Sequence, residues 1–266
     1  MPRLSRVASV VGLVTFAAAV VAGSGQFCDR RSSRGLTRPG LAMQLAASRE
    51  DVEQVIGMKV WCPGVAPPGV WPECLANAET LRAQQWRDFV FIPLYVAFLV
   101  LVALVGWRTG RGGRLLVALG IVAVVVAGLA DVRENLVILT ILGPYPVCDV
   151  MPRPWALLKW RLLTLALLAI VVPLARGEPE IRGLARWAGR ASAVLAVTTA
   201  YFSGAQLLWS DDTYLESALP TLAATVVTTW IAVCGHAWFP GGLLAALEVL
   251  ARRPGFRRIA EWPPTQ

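Results

Sequence analysis

Residues 115–142 read LLVALGIVAVVVAGLADVRENLVILTIL. The stretch is apolar enough to enter a membrane and long enough to cross it, since a bilayer core of ~30 Å needs about 20 residues as helix. Backbone groups in lipid must pair within their own segment, which makes the stretch a helix. Four residues interrupt it: Asp131, Arg133, Glu134 and Asn135. Charges at that depth are expensive and persist where something compensates them.

The whole chain agrees. Of its 266 residues, 56% are hydrophobic and only 16% charged, against about 25% charged in soluble domains. Mean hydropathy is +0.58. An ordinary soluble enzyme is excluded. The net charge of +8 does not point to nucleic acid, because the arginines cluster at the ends of apolar segments, as topology signals do. Arg-rich, Ala/Val/Leu/Gly-rich composition suggests a bacterial source.

Working outward, five further stretches qualify as spans: Val7 to Gly23, Asp88 to Val105, Trp155 to Leu174, Ala191 to Trp209 and Ala218 to Trp238. The expected fold is all-α, a polytopic bundle of six transmembrane helices. Arg108, Arg111 and Arg114 precede the third span. Arg176, Arg182, Arg186 and Arg190 lie between the fourth and fifth, and Arg252, Arg253, Arg257 and Arg258 follow the sixth. These basic segments face the cytoplasm by the positive-inside rule, which puts both termini inside a plasma (inner) membrane. The first span is preceded by Arg3 and Arg6 but followed by Arg30, Arg31, Arg34 and Arg38; the long loop holding those four obeys the rule poorly. That span also has signal-peptide features, with small residues Ala22, Gly23 and Ser24, but exceeds the usual 7–15-residue signal core. An uncleaved helix is preferred.

Residues 24–87 are then an extracytoplasmic cap, 88–240 a five-helix membrane body and 241–266 a cytoplasmic amphipathic helix and tail. Four cysteines share the outer side: Cys28, Cys62 and Cys74 in the cap and Cys148 after the third span. An even number on an oxidising face suggests two disulfides. Cys62–Cys74, bracketing a Pro-rich loop, and Cys28–Cys148 are the preferred pairing of three. Gly40 to Gly57 reads as one cap helix, with a capping-box pattern at Ser48 and Asp51. A second helix runs from near Ala76 into the second span. A loop of about 60 residues is marginal alone and needs the bundle beneath it.

The polar residues of the third span form the candidate site. On a helical wheel Asp131, Glu134 and Asn135 fall within about 100° of one another, with Gly120, Ala123 and Ala127 continuing the face. Small residues let helices approach closely in membranes, so this face points into the bundle and the third span is central. Glu134 lies about 13 Å from the helix end at Gly143. Lys159 and Arg161 of the fourth span lie roughly 7–10 Å down; of the second span, Tyr95 lies about 10 Å down and Asp88 at the rim. Tyr201, Ser203 and Gln206 of the fifth sit at similar depth. The candidate cluster is Asp88, Tyr95, Asp131, Glu134, Asn135, Lys159 and Arg161. Three readings stay open: a structural ion-pair network, a pocket for a ligand or lipid headgroup, and catalysis or proton relay by the carboxylates.

Other chemistry has little support. His236, the only histidine, cannot build a metal site with Cys234 alone, so neither metal nor cofactor is expected. Nucleotide-binding and hydrolase motifs are missing, and no CxxC marks a redox enzyme. No inverted repeat suggests a transporter.

The patterns RDFVFIPLYVAFL, AGLADVRENLVIL and LLKWRLLTLALLA, in the second to fourth spans, resemble a group of bacterial multi-pass integral membrane proteins of uncharacterised activity. In that group D-x-x-F-x-x-x-Y and D-x-x-E-N recur. Asp88 and Tyr95 fit the first motif; Asp131, Glu134 and Asn135 fit the second. The match covers about Gly40 to Val172 and implies architecture without a mechanism. The expected function is a non-catalytic membrane protein that senses, binds a ligand or lipid, or supports a membrane partner. The alternative is a membrane-embedded enzyme or a small-solute or proton carrier using Asp131 and Glu134. Expected partners are the bilayer and a membrane protein or small ligand at the outer face.

Overall fold

The computed structural model of the chain describes residues 2–23, 36, 38–56, 75–109, 113–143, 150–175, 184–209 and 211–238. These form eight α-helices in order: α1 (Pro2–Gly23), α2 (Pro39–Gln44), α3 (Arg49–Ile56), α4 (Leu75–Thr109), α5 (Arg114–Ile141), α6 (Arg153–Ala175), α7 (Leu184–Trp209) and α8 (Thr213–Trp238). Five of them, α1, α4, α5, α6 and α8, are long and apolar enough to cross a membrane. The protein is a multi-pass helical membrane protein. The 26-residue α7 carries Arg190, Ser192, Thr198, Thr199, Ser203 and Gln206 along its length. Cys28, Cys62, Cys74, Cys148 and the tail 239–266 lie outside the described residues.

The six long helices close a ring. α1 packs on α4, α4 on α5, α5 on α6, α6 on α7, α7 on α8, and α8 returns to α1. α4 and α6 also meet across the ring. They are therefore the central pair, and α5 is not central as its small-residue face suggested. That face was read correctly: Gly120, Ala127, Asp131, Glu134 and Asn135 are buried, and Ala123 is partly buried against the core. A Cβ on Gly120 would lie 3.2 Å from that of Ala169 on α6, and one on Gly128 only 2.7 Å from a Val96 methyl on α4. Such small residues let α5 sink into the groove between α4 and α6. Its opposite face, including Leu115, Leu119, Val122 and Leu129, is exposed, as suits a helix that meets lipid.

Hydroxyls and an indole tie the rest of the ring. Ser192 donates to Thr228 at 2.9 Å and Thr199 to Thr221 at 3.0 Å, joining α7 to α8. The Trp230 indole donates to the Ser9 carbonyl at 2.8 Å, joining α8 to α1. Thr15 of α1 donates to the Leu94 carbonyl of α4 at 3.2 Å. Each bond across membrane helices contributes about 0.6 kcal/mol on average.

The cap is two short helices rather than the single one expected over Gly40 to Gly57. Ser48 explains the break. Its Oγ accepts from the Asp51 amide at 3.2 Å, while the Asp51 carboxylate accepts from the Ala47 and Ser48 amides at 3.0 and 3.2 Å. This reciprocal cap starts a helix at Arg49 and so forces the preceding one to stop. Hydrogen bonding at the same helix start, to backbone and the Ser48 hydroxyl, holds the exposed Glu50 carboxyl below its usual range. Met43, Leu45 and Val52 are fully buried, against Val137, Ile138 and Ile141 of α5, Ala156 of α6, Leu81 of α4 and Leu215 of α8. Full burial of such side chains contributes about 1.5–3 kcal/mol each. The cap thus folds as part of the bundle's end. α4 begins at Leu75 within the cap region and runs into the bundle, as the sequence suggested, with Pro93 inside the helix.

Candidate functional site

Three helices bring the predicted polar residues together at the cap end of the bundle. Asp88 and Tyr95 share one face of α4, two turns apart. Asp131, Glu134 and Asn135 share the buried face of α5. Lys159 enters from α6. Its ammonium lies 2.8 Å from Asp131 Oδ1 and 2.7 Å from Glu134 Oε2. The second oxygen of Asp131 accepts from the Tyr95 hydroxyl at 3.1 Å. The Asn135 amide donates to Asp88 Oδ2 at 2.8 Å. Asp131, Glu134, Asn135 and Lys159 are all at most 5% exposed, so this is a desolvated network and not a surface ion pair. Lys159 Nζ also sits 5.0 Å from the centre of the Trp160 ring.

Arg161 does not join them. Lys159 and Arg161 are two residues apart, about 200° around a helix, so both cannot face α5. The Arg161 Nε is buried without a hydrogen-bond partner among the described residues. Arg133 lies over the Trp155 ring, 5.8 Å from its centre. The fifth predicted span also contributes less than its depth implied. Tyr201 is 63% exposed, and Gln206 serves a different cluster.

That second cluster joins the cap to the bundle. Arg153, at the start of α6, pairs with Asp212 through Nη1 and donates from Nη2 to Asp212 Oδ1 at 3.0 Å. It also reaches the Leu45 carbonyl at 3.3 Å, and Gln206 Nε2 donates to Asp212 Oδ1 at 3.2 Å. Four elements, the α2–α3 turn, α6, α7 and α8, meet there. The sequence showed Arg153 and Asp212 only as loop charges.

Two adjoining cavities border the first cluster. One, of about 500 Å³, lies under α2 and is lined by polar groups from Arg38, Gln44, Gln84, Gln85 and Asp88. The other, of about 380 Å³, runs between α1, α4, α6 and α8. Its head holds Asp88, Tyr95, Asp131 and Lys159, and its walls are apolar, among them Phe98, Leu163, Leu222 and Val226. Ala19, Gln44, Asp88, Phe91 and Trp160 border both. Small-ligand sites occupy about 300–1,000 Å³. Glu134 borders neither cavity.

Several groups here lack partners among the described residues. Gln85 Oε1 and Trp160 Nε1 are buried and unbonded, and both side chains line the space under α2. Gln85 is one turn before Asp88 on the same face of α4, a signal visible in the sequence once Asp88 is taken as a site residue. No group of three His, Cys, Asp or Glu side chains among the described residues is arranged to hold a metal ion. The arrangement offers acceptors from Asp88 and Gln85 and donors from Arg38, Lys159 and Trp160 at the mouth of an apolar pocket.

No protein-family model matches the chain, and no curated protein or solved structure matches it either.

Proposed function

We propose that this chain is a ligand-binding membrane protein whose site is the pocket beneath the cap, headed by Asp88, Tyr95, Asp131 and Lys159. One observation carries the reading: the polar cluster opens onto an apolar cavity of about 380 Å³ instead of being packed shut. A purely structural network needs no such space. Asp88, Phe91 and Tyr95 of the D-x-x-F-x-x-x-Y pattern and Asp131 of the D-x-x-E-N pattern border it, so the resemblance to bacterial integral membrane proteins is in our reading a shared binding site. A catalytic or carrier role for Asp131 and Glu134 has less support, since both oxygens of Asp131 are engaged and Glu134 does not border the cavity.

In this reading α7 is the sixth span. The cap faces outward across a bacterial plasma membrane, and both termini face the cytoplasm. Cys62–Cys74 and Cys28–Cys148 close the cap on the oxidising side. A membrane-impermeant maleimide should then label Arg49→Cys, but not Gly113→Cys, in intact cells; the reverse result inverts the orientation.

The pocket is tested with an uncharged ten-carbon alcohol carrying a terminal diazirine. Photolysis in nanodiscs should place the label on pocket residues such as Phe91, Leu163 and Leu222, and Ala19→Trp should abolish that labelling. Label confined to lipid-facing residues such as Leu119 and Leu129 would refute the pocket.

A further inference from the structure

We infer that the ligand is a single-chain or lipid amphiphile with a primary ammonium head, the head bound at Asp88 and Gln85 and the tail lying between α1, α4, α6 and α8. The inference rests on the pocket proposed above and names what fills it.

The charge count sets the head. Asp131 and Glu134 share one ammonium, that of Lys159, while Asp88 borders the same cavity from α4. Lys159 is committed to Asp131 and Glu134 at 2.8 and 2.7 Å. The arginines around the site are engaged elsewhere: Arg38, which lines the space under α2, lies 3.9 Å from Glu216, Arg133 lies over Trp155, and Arg153 pairs with Asp212. Among the described residues Asp88 therefore meets the cavity without an ion-paired cation, and its carboxylate accepts from the Asn135 amide at 2.8 Å. Excess negative charge at membrane depth is costly and calls for a partner.

Hydrogen bonding at Gln85 points the same way, whereas the unbonded Trp160 Nε1 is a donor that an ammonium does not serve. Gln85 is 5% exposed, and its Oε1 has no partner among the described residues. It lines the same space as Asp88, one turn away. An ammonium has three donors and no acceptor. It can satisfy the Asp88 carboxylate and the Gln85 oxygen together. A carboxylate or phosphate head alone would add negative charge to a site already in excess of it. Below the head, the wall offers Phe98, Leu163, Leu167, Leu222 and Val226, which suit an alkyl chain.

The test uses competitors of one chain length against the neutral diazirine alcohol, at pH 7 in phosphatidylglycerol nanodiscs and at matched membrane concentrations. Decylamine is charged there, as a lysine-like amine is. It should displace the label at least about tenfold more effectively than decanol or decanoate, since a charge-assisted hydrogen bond in place of a neutral one is about a tenfold effect. Asp88→Asn should remove that preference; its amide oxygen can still accept from Asn135. Gln85→Met, which deletes an unpaired group and should not impair folding, should weaken decylamine severalfold and serves if the first variant fails to fold. Equal competition by all three compounds overturns the ammonium head while leaving the pocket intact. Absence of pocket labelling in the first place overturns both. Protection by added phosphatidylethanolamine would identify a membrane lipid as the source; protection by decylamine alone would identify a free amine.

Discussion

Replacing Lys159 by Met should destabilise the protein by about 3–5 kcal/mol, the cost of breaking a buried ionic network by removing one side. The structure explains why the effect belongs at that end of the scale for a lysine. The side chain is 3% exposed, and its loss leaves the carboxylates of Asp131 and Glu134 facing each other without a cation. Adding Glu134→Gln should recover part of the loss, with a coupling energy of about 0.5–3 kcal/mol, as for residues in one network. Arg161→Met is the decisive control. Arg161 is two residues away on the same helix, but it faces elsewhere, so its change should add to Glu134→Gln within about 0.5 kcal/mol. The assay is reversible unfolding in mixed micelles by dodecyl sulfate titration, followed by the fluorescence of the chain's 11 tryptophans. A larger coupling of Glu134 to Arg161 than to Lys159 would refute the assignment, as would a harmless Lys159→Met.

Three further perturbations probe the frame around the site. Gly12→Ala places a methyl 2.4 Å from the Trp230 ring, which must move and lose its bond to Ser9; a cost of about 1–3 kcal/mol is expected for such overpacking, relieved by Trp230→Leu in the same unfolding assay. Ser48→Ala removes the cap of α3 and should cost about 1 kcal/mol, with faster hydrogen exchange at the first amides of that helix. Asp212→Ala releases Arg153 from the point where α6, α8 and the α2–α3 turn meet; exchange should rise in residues 41–48 while the core of α4 stays protected, and uniform loss of protection would show that the cluster holds the whole bundle and not the cap.

Much of the frame was legible because the membrane leaves few options. An apolar run long enough to span must be helical, so the long helices could be read from composition and spacing. The buried face of α5 could be read too, because Gly120, Ala127, Asp131 and Glu134 recur at helical intervals. Its neighbours could not. A small-residue face says that some helix comes close, and it is equally satisfied by a central position or by the groove between α4 and α6, where α5 lies. The split of the cap into α2 and α3 was written in Ser48 and Asp51, since a capping box marks a beginning and a continuous helix through it is self-contradictory.

The site was half legible for a related reason. Depth along a helix can be counted from its end, and that count correctly gathered Asp88, Tyr95, Asp131, Glu134, Asn135 and Lys159. Depth says nothing of azimuth. Arg161, Tyr201 and Gln206 all lay at a suitable level but on other faces, and about 100° of rotation per residue separates Lys159 from Arg161 decisively. Gln85 was missed because a glutamine among the polar residues that precede a span carries no signal by itself; it matters only because α4 extends its helix from the membrane into the cap without a break. That continuity also gives the pocket its character. One rigid face of α4 presents Gln85 and Asp88 to the space under α2 and, one to three turns further on, Phe91, Tyr95 and Phe98 to the apolar cavity. A ligand bound along this face would have its polar end ordered against the cap and its apolar end against the bundle, so the cap is part of the site and not a cover added to it.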